Sequence, residues 1–400
     1  MKTNPMLKWL PFILVAIAMT TAVSCRTTQG SRPSHAVTVA IFRAEKLTEM
    51  DVAIEEAIAA KKCPGGVLWL EHRGQSYHKA YGQRTVLPAA EPMTESTIFD
   101  AASLTKVIAC TPAVMLLVER GCVRLNAPVV SYLREFTGEG RDAITVHHLL
   151  THTSGLRPDI ALKPDWSGYD TAIRLCCAEK PQAKPGQQFT YSDTNFMLLG
   201  EIVRRVSGQR LEEFVQRALY EPLRMWDTGF NPSRDNLPRI APTEVQDGQP
   251  LRGTVHDPRA RRMGGVAGHA GLFTTARDLA RYARFMLNQG ELDGVRIFLA
   301  KTVRLMTSMQ TPPTLTVRRG LGWDIDSGAL SAPRGSLFPI GSYGHTGWTG
   351  TSLWIDPISQ SFVIFLSNRN HPDGRGEVAT LRQKLGTLAA EAIADFNFRR

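Results

Sequence analysis

The segments of this chain that read as β-strands lie at its two ends, and most of what separates them reads as helix. Near the start, Gly65-Gly66-Val67-Leu68-Trp69-Leu70 is an apolar strand-like run, and Gly74-Gln75 supplies a turn into residues 76–81, which predicts a hairpin. Toward the other end, residues 320–325, 342–346, 351–355 and 362–367 read as strands. Between these groups, 146–151, 170–178, 195–207, 211–220 and 276–289 carry helical periodicity, while 229–264 is rich in Pro, Asp, Arg and Gly and reads as long loops. A first helix over 44–61 repeats apolar residues at Leu47, Met50, Val52, Ile54 and Ile58, and 377–396 closes the chain as an amphipathic helix. Strands so far apart must come together in one sheet. The implied class is α/β of the α+β type: a mixed, antiparallel sheet flanked by helices, with an inserted all-helical lobe. Two lobes leave a cleft between them, the usual place for a site.

The 400 residues, 43% of them hydrophobic, suffice for a large core. The formal charge of +10 raises the question of nucleic acid, but the basic residues are dispersed in short groups such as Arg259, Arg261, Arg262 and Arg318, Arg319. No basic run interleaves with aromatics, so no nucleic-acid partner is expected. A basic surface facing anionic membranes or cell-wall polymers accounts for the charge equally well. At the N-terminus, Lys2 and Lys8 precede an apolar run from Trp9 to Val23, too short for a comfortable membrane span, and then Ala22-Val23-Ser24-Cys25. This pattern reads as a signal peptide over 1–24. Cleavage after Ser24 would leave Cys25 for lipidation, as at a bacterial lipoprotein box, although alanine replaces leucine three positions before the cysteine. Residues 25–43 then read as a tether, and 44–400 as the folded domain. The expected location is the periplasm or cell envelope as a membrane-anchored lipoprotein, with secretion in soluble form as the alternative. The remaining Cys63, Cys110, Cys122, Cys176 and Cys177 are odd in number and irregularly spaced, which suits neither a disulfide framework nor a zinc site.

Ser103-Leu104-Thr105-Lys106 places a hydroxyl and an amine three residues apart, ahead of the apolar run Val107, Ile108, Ala109, Cys110 and Val114 to Val118. On a helix these positions share a face. A helix start also offers unpaired N–H groups and a positive dipole end to an oxyanion, and a serine nucleophile needs a nearby base and such an anion hole. Two further motifs follow in order: Tyr191-Ser192-Asp193 in the helical part, and His345-Thr346-Gly347-Trp348 on a late strand.

With these three motifs the chain resembles the family of class C β-lactamases, D-Ala-D-Ala carboxypeptidases and related esterases, which carries Ser-x-x-Lys, Tyr-x-Asn and Lys/His-Thr-Gly. Phe99-Asp100-Ala101-Ala102, Leu149-Leu150-Thr151-His152-Thr153-Ser154-Gly155-Leu156, Lys184-Pro185-Gly186 and Gly271-Leu272-Phe273-Thr274-Thr275 support the resemblance, which runs from about residue 44 to the end. It implies a β-lactamase/transpeptidase-like fold, Ser103 as nucleophile and Lys106 as a helper in taking its proton. It implies Tyr191 as the second base candidate, delivering that proton to the leaving group, and the N–H groups of Ser103 and Trp348 as the oxyanion hole. His345, Thr346 and Gly347 would line the wall where a substrate carboxylate usually sits. No cofactor and no metal are implied.

Two departures bear on the chemistry. Asp193 stands where the family has asparagine; a carboxylate only accepts hydrogen bonds, and beside Lys106 it raises the lysine pKa. Tyr191 is therefore expected to carry more of the proton transfer, and Asp193 to prefer a donor on the substrate. His345 replaces lysine in the third motif and, being only partly charged near neutrality, holds a carboxylate less firmly. The His-Thr-Gly form resembles D-peptidases more than cephalosporinases. His147, His148 and His152 are expected to make structural hydrogen bonds, while His269 or His256, in loops, are candidates to touch substrate. The reading is a serine hydrolase acting through an acyl-enzyme on cell-wall-derived peptide amides, as a D-Ala-D-Ala carboxypeptidase or muropeptide amidase. The alternatives are a promiscuous carboxylesterase or weak β-lactamase, and a non-catalytic penicillin-binding sensor.

Overall fold

The computed structural model describes residues 41–326 and 333–398. The expected signal peptide, Cys25 and nearly all of the tether lie outside these residues.

The two ends of the chain meet in the sheet. Eight strands run in the order Arg318–Arg319, Asp324–Asp326, Tyr343–Thr346, Ser352–Asp356, Ser361–Ser367, Gly65–His72, Gln75–Thr85 and Glu91–Pro92. Each neighbouring pair is antiparallel. The N-terminal strand inserts beside the last one, with Val67 opposite Leu366, Leu68 opposite Phe365 and Trp69 opposite Ile364. Alternation sends Leu68, Leu70, Val363 and Phe365 to one face, against the helices Ala44–Ala59 and Ala379–Ala392. Val67, Trp69, Ile364 and Leu366 go to the other face and join the core of the helical lobe. Both faces are covered, so Gly65–His72 is buried at every position and its first six residues read as an unbroken apolar run. The hairpin turn falls on Arg73 and Gly74, both at positive φ (48° and 82°), with His72 opposite Gln75. That is a two-residue turn of the type that matches strand twist, one residue earlier than the composition suggested.

The segment after Ser103 is helical throughout but not uniformly so. A 3-10 turn over Ala102–Leu104 passes into a π segment, Lys106–Cys110, and then the α-helix Thr111–Glu119. Pro112 gives the reason. In the π segment Thr111 N–H bonds to Lys106 O, five residues back, so the next donor along would be Pro112, which has no N–H. Two carbonyls are stranded inside the core, and two tyrosines take them over. Tyr282 Oη donates to Val107 O at 2.7 Å, and Tyr220 Oη donates to Ile108 O at 3.2 Å. Both tyrosines are fully buried. A π segment beside a functional residue is a common placement, and here it ties the Ser103 helix to the Ala276–Leu287 helix.

Around it the helices Tyr169–Ala178, Asp193–Ser207 and Leu211–Val215 share one apolar core with Val114, Met115 and Leu116. The five described cysteines are free thiols.

Replacing Tyr282 by phenylalanine keeps the ring and strands Val107 O. We expect a loss of about 1–3 kcal/mol, the cost of an unsatisfied buried carbonyl, read as a lower urea midpoint at unchanged slope.

Candidate active site

Ser103 stands where three parts of the chain are stitched together. Asp100, buried at the end of the short strand Phe99–Asp100, accepts from Ala102 N–H (2.9 Å) and His256 N–H (2.7 Å). Ala102 takes a left-handed φ of 47° immediately before the serine, a costly conformation for a residue with a side chain. The turn after His345-Thr346 closes on this segment from the sheet: Thr349 Oγ1 donates to Asp100 O (2.7 Å) and Thr351 Oγ1 to Ala101 O (3.0 Å). Gly347 must be glycine, since a Cβ there would lie 2.1 Å from Thr351 Oγ1 and 2.5 Å from Ala101 O.

Lys106 is fully buried and its ammonium meets three partners. Nζ donates to Ser103 Oγ (2.9 Å) and to the backbone carbonyl of His269 (3.1 Å), and lies 2.6 Å from Asp193 Oδ1. Its nitrogen also sits 5.0 Å from the centre of the Tyr191 ring. Burial opposes the charge, but Asp193 and then Tyr191 outweigh it and raise the lysine pKa above its ordinary value. Lys106 therefore holds its proton at neutral pH and donates to the serine oxygen.

Tyr191-Ser192-Asp193 is the entry to the Asp193–Ser207 helix, which Ser192 caps by accepting from Asn195 N–H (3.4 Å). His152 holds this entry. Its ring stacks on Tyr191 with centroids 4.4 Å apart, and its Nδ1 accepts from Ser192 N–H at 3.0 Å. His152 is fully buried and left-handed (φ 57°), and burial next to Arg319 and Lys106 drives its pKa well below the ordinary range. It is a neutral platform with its proton on Nε2. His148 is structural in another way, since its Nδ1 closes a capping box with Thr145.

Ser103, Tyr191, His345, Thr346, Gly347 and Trp348 line one cleft of about 600 Å³, together with Phe189, Arg319, Arg369 and Arg382. Its electrostatics differ from those the sequence suggested. His345 is buried, its Nδ1 lies 2.8 Å from Thr346 O, and burial beside Arg319 and Lys106 pushes its pKa well down. It offers a carboxylate no charge. The cations on that wall are arginines instead: Arg319, buried, bonded to Gly322 O (3.1 Å) and ion-paired with Asp324 (3.5 Å), and Arg382, buried in the Ala379–Ala392 helix; Asp324 and Glu377 line the same cleft. Sequence reasoning passed over both, because an arginine in a strand or an amphipathic helix is normally solvated.

Two further expectations are corrected. His269 turns its side chain away from the cleft: it is buried, with Nε2 2.9 Å from Asp257 Oδ1, and only its carbonyl serves the site by holding Lys106. Asp193 commits Oδ1 to Lys106 and is absent from the cleft lining, so at most its other oxygen, in a side chain 19% exposed, is open to a donor on a substrate. His256 also stays off the cleft, with Nε2 3.2 Å from Asn370 Nδ2. Asp193, Asp257 and His269 each offer a ligand atom within 4.8 Å of the others. Burial opposes charge on His269, but Asp257 and Asp193 raise its pKa overall. Lys106 and this imidazole already engage the two carboxylates, so a divalent cation there would have to displace the lysine from Asp193.

Comparison with known proteins agrees with this geometry. The beta-lactamase family model matches residues 50–387. A protein of Escherichia coli O157:H7 described as a "Putative D-alanyl-D-alanine carboxypeptidase" is 31% identical over 394 residues, covering 88% of this chain and 89% of its own. Among solved structures, a class C beta-lactamase superposes with a TM-score of 0.72 at 20% identity, over 91% of this chain and all (100%) of its own. EstCE1, described as a hydrolase with promiscuous acyltransferase activity, superposes at 0.69 and 20% identity, over 86% and 99%. The chain belongs to the beta-lactamase family. It is a serine hydrolase of that family.

Both site histidines are expected to stay neutral as the pH falls below 6.5, because their pKa values are lowered. In ¹⁵N-edited NMR between pH 8 and 5.5, His152 should keep the Nε2–H tautomer and His345 the Nδ1–H tautomer. A protonation midpoint near 6.5 for either would contradict the geometry.

Proposed function

We propose that this protein hydrolyses peptide amides derived from the cell wall, through an acyl-enzyme on Ser103, outside the cytoplasmic membrane. The observation that carries the reading is the hydroxyl of Ser103 held at 2.9 Å by a buried ammonium, on the lining of a cleft that also presents Arg319, Arg369 and Arg382 alongside Asp324 and Glu377. Arg319, which lines this cleft with Asp324 as its ion-pair partner at 3.5 Å, suits a substrate that carries a carboxylate beyond the scissile bond. A relative named for D-alanyl-D-alanine carboxypeptidase activity, 31% identical over 88% of the chain, supports a peptide substrate. The apolar run ending at Cys25 supports export and lipid attachment.

In this mechanism Tyr191 enters the step as its phenolate, beside the Lys106 ammonium, and takes the proton of Ser103 Oγ to become the neutral phenol as Oγ attacks the amide carbonyl carbon. Lys106 is a poor acceptor while Asp193 keeps it protonated, so its part is to hold Ser103 Oγ and stabilise negative charge nearby. The carbonyl oxygen becomes an oxyanion against the N–H groups of Ser103 and Trp348. As the C–N bond breaks, Tyr191 returns the proton to the departing amine. Water then repeats the sequence on the ester, releasing the acid and restoring the serine.

The test is a soluble form beginning after Cys25, incubated with muropeptides, short-chain nitrophenyl esters and benzylpenicillin while products and intact mass are followed. Release of an amine or amino acid from muropeptides is the expected result. Ester turnover with untouched muropeptides would mean a carboxylesterase, and a lasting penicillin adduct without turnover would mean a sensor. Ser103→Ala should abolish whatever is seen.

Asp193→Asn removes the carboxylate that raises the Lys106 pKa. The ammonium is lost at lower pH in that variant, so the alkaline limb of the pH–rate profile is expected to move to lower pH. An unchanged profile with unchanged turnover would overturn the role given to Asp193.

A further inference from the structure

Arg382 is a buried cation whose hydrogen bonds go to backbone. Its Nη2 donates to Gly347 O at 2.6 Å and Thr351 O at 2.8 Å, and its Nε has no hydrogen-bond partner among the described residues. Burying a charge without a bonded counter-charge is expensive. Burial and the neighbouring Arg369 push its pKa down to about 9, yet it stays charged at neutral pH. Such a cost at an arbitrary place would be hard to retain, and this place is not arbitrary. Both carbonyls belong to the turn that follows His345-Thr346. The next carbonyl, Trp348 O, is held by Arg369 Nε at 2.6 Å, and that guanidinium lies 4.6 Å from the centre of the Trp348 ring.

A peptide unit is planar, and in the trans form its C=O and N–H point in opposite directions. The Gly347–Trp348 peptide is trans. A guanidinium on Gly347 O therefore fixes the direction of Trp348 N–H, away from Arg382. Gly347 itself is pressed against the residues just before Ser103: a Cβ there would lie 2.5 Å from Ala101 O and 3.2 Å from Ala102 Cβ. A charged donor on the carbonyl also polarises the whole unit and strengthens its N–H as a donor. Gly347 N–H is itself committed to Thr351 O at 2.7 Å, so the turn cannot rotate to escape.

We propose that Arg382 is a positioning residue for the oxyanion hole: it grips the Gly347 carbonyl so that the Trp348 N–H is aimed at, and polarised toward, the oxygen of a carbonyl under attack by Ser103. The inference rests on the reading of Ser103 as nucleophile given above. It assigns Arg382 an action through backbone instead of a contact with substrate, and it distinguishes Arg382 from Arg319 on the same wall.

The test compares Arg382→Met, which keeps volume without charge, and Arg382→Lys with the unaltered protein, using 4-nitrophenyl acetate and its thiono analogue. Sulfur accepts hydrogen bonds poorly, so an aimed oxyanion hole favours the oxygen ester, and a disordered one favours it less. For Arg382→Met, kcat should fall on the order of 10- to 100-fold, less than the 10²–10³ typical of deleting an oxyanion donor outright. KM should hold within about twofold, and the oxo-to-thiono rate ratio should shrink about as much as kcat, the signature of an interaction made only in the transition state. Arg382→Lys should lie between, and its ratio decides the matter if Arg382→Met does not fold. A raised KM with unchanged kcat would make Arg382 a substrate anchor and overturn the proposal, as would an unchanged oxo-to-thiono ratio. Ser103→Ala is the separate control: turnover that survives it would refute the nucleophile itself, whatever Arg382 does.

Discussion

The interaction on which the rest of the site depends is the ammonium of Lys106, sealed in the interior between Ser103, Asp193 and the carbonyl of His269. An ion out of water costs several kcal/mol, and removing one partner of a buried pair typically costs about 3–5 kcal/mol. The partners come from three remote stretches of chain: the helix after Ser103, the start of the Asp193–Ser207 helix and the glycine-rich loop through His269. The charge thus works as a staple. It ties the helical lobe to the loop beside it, and it does so at the serine.

Placing that staple makes demands on its surroundings. Lys106 opens the π segment, and the π segment meets Pro112, which leaves Val107 and Ile108 carbonyls without helical donors. Tyr282 and Tyr220 cover them from two other helices. His152 accepts strain at a left-handed backbone and gives up its own charge to stack under Tyr191. Gly347 approaches Ala101 more closely than any side chain permits, while Arg382 holds its carbonyl from behind. These irregularities all bear on the segments that carry Ser103, Lys106, Tyr191 and Gly347, where local preference gives way to geometry.

Much of this was legible before any coordinates. Period-two and period-3.6 patterns located the strands Gly65–His72 and Ser361–Ser367 and the helices Ala44–Ala59 and Ala276–Leu287 with small errors at their ends. The order of Ser-x-x-Lys, Tyr-Ser-Asp and His-Thr-Gly indicated one cleft, and all three motifs reach it, directly or through Lys106. The proximity of Asp193 to Lys106 followed from the family resemblance, in which Asp193 takes the place of the second-motif asparagine. Less legible was anything that turned on burial. His345 reads as a half-charged imidazole in solution, and only its burial beside Arg319 and Lys106 makes it neutral. His269 reads as an exposed loop residue, and only Asp257 explains why it turns inward.

By itself, then, the sequence determined the residue types available for catalysis, the elements that carry them and the sheet that must join both ends of the chain, because periodicity and motif order are local properties. Tertiary structure alone decided which charges survive burial. It removed the charge of His345 and His152, kept those of Lys106, Arg319 and Arg382, and closed the Lys106–Asp193 contact at 2.6 Å. The physical reason is that a proton's free energy depends on every dipole and charge within several ångströms, and those neighbours come from segments that no local pattern connects.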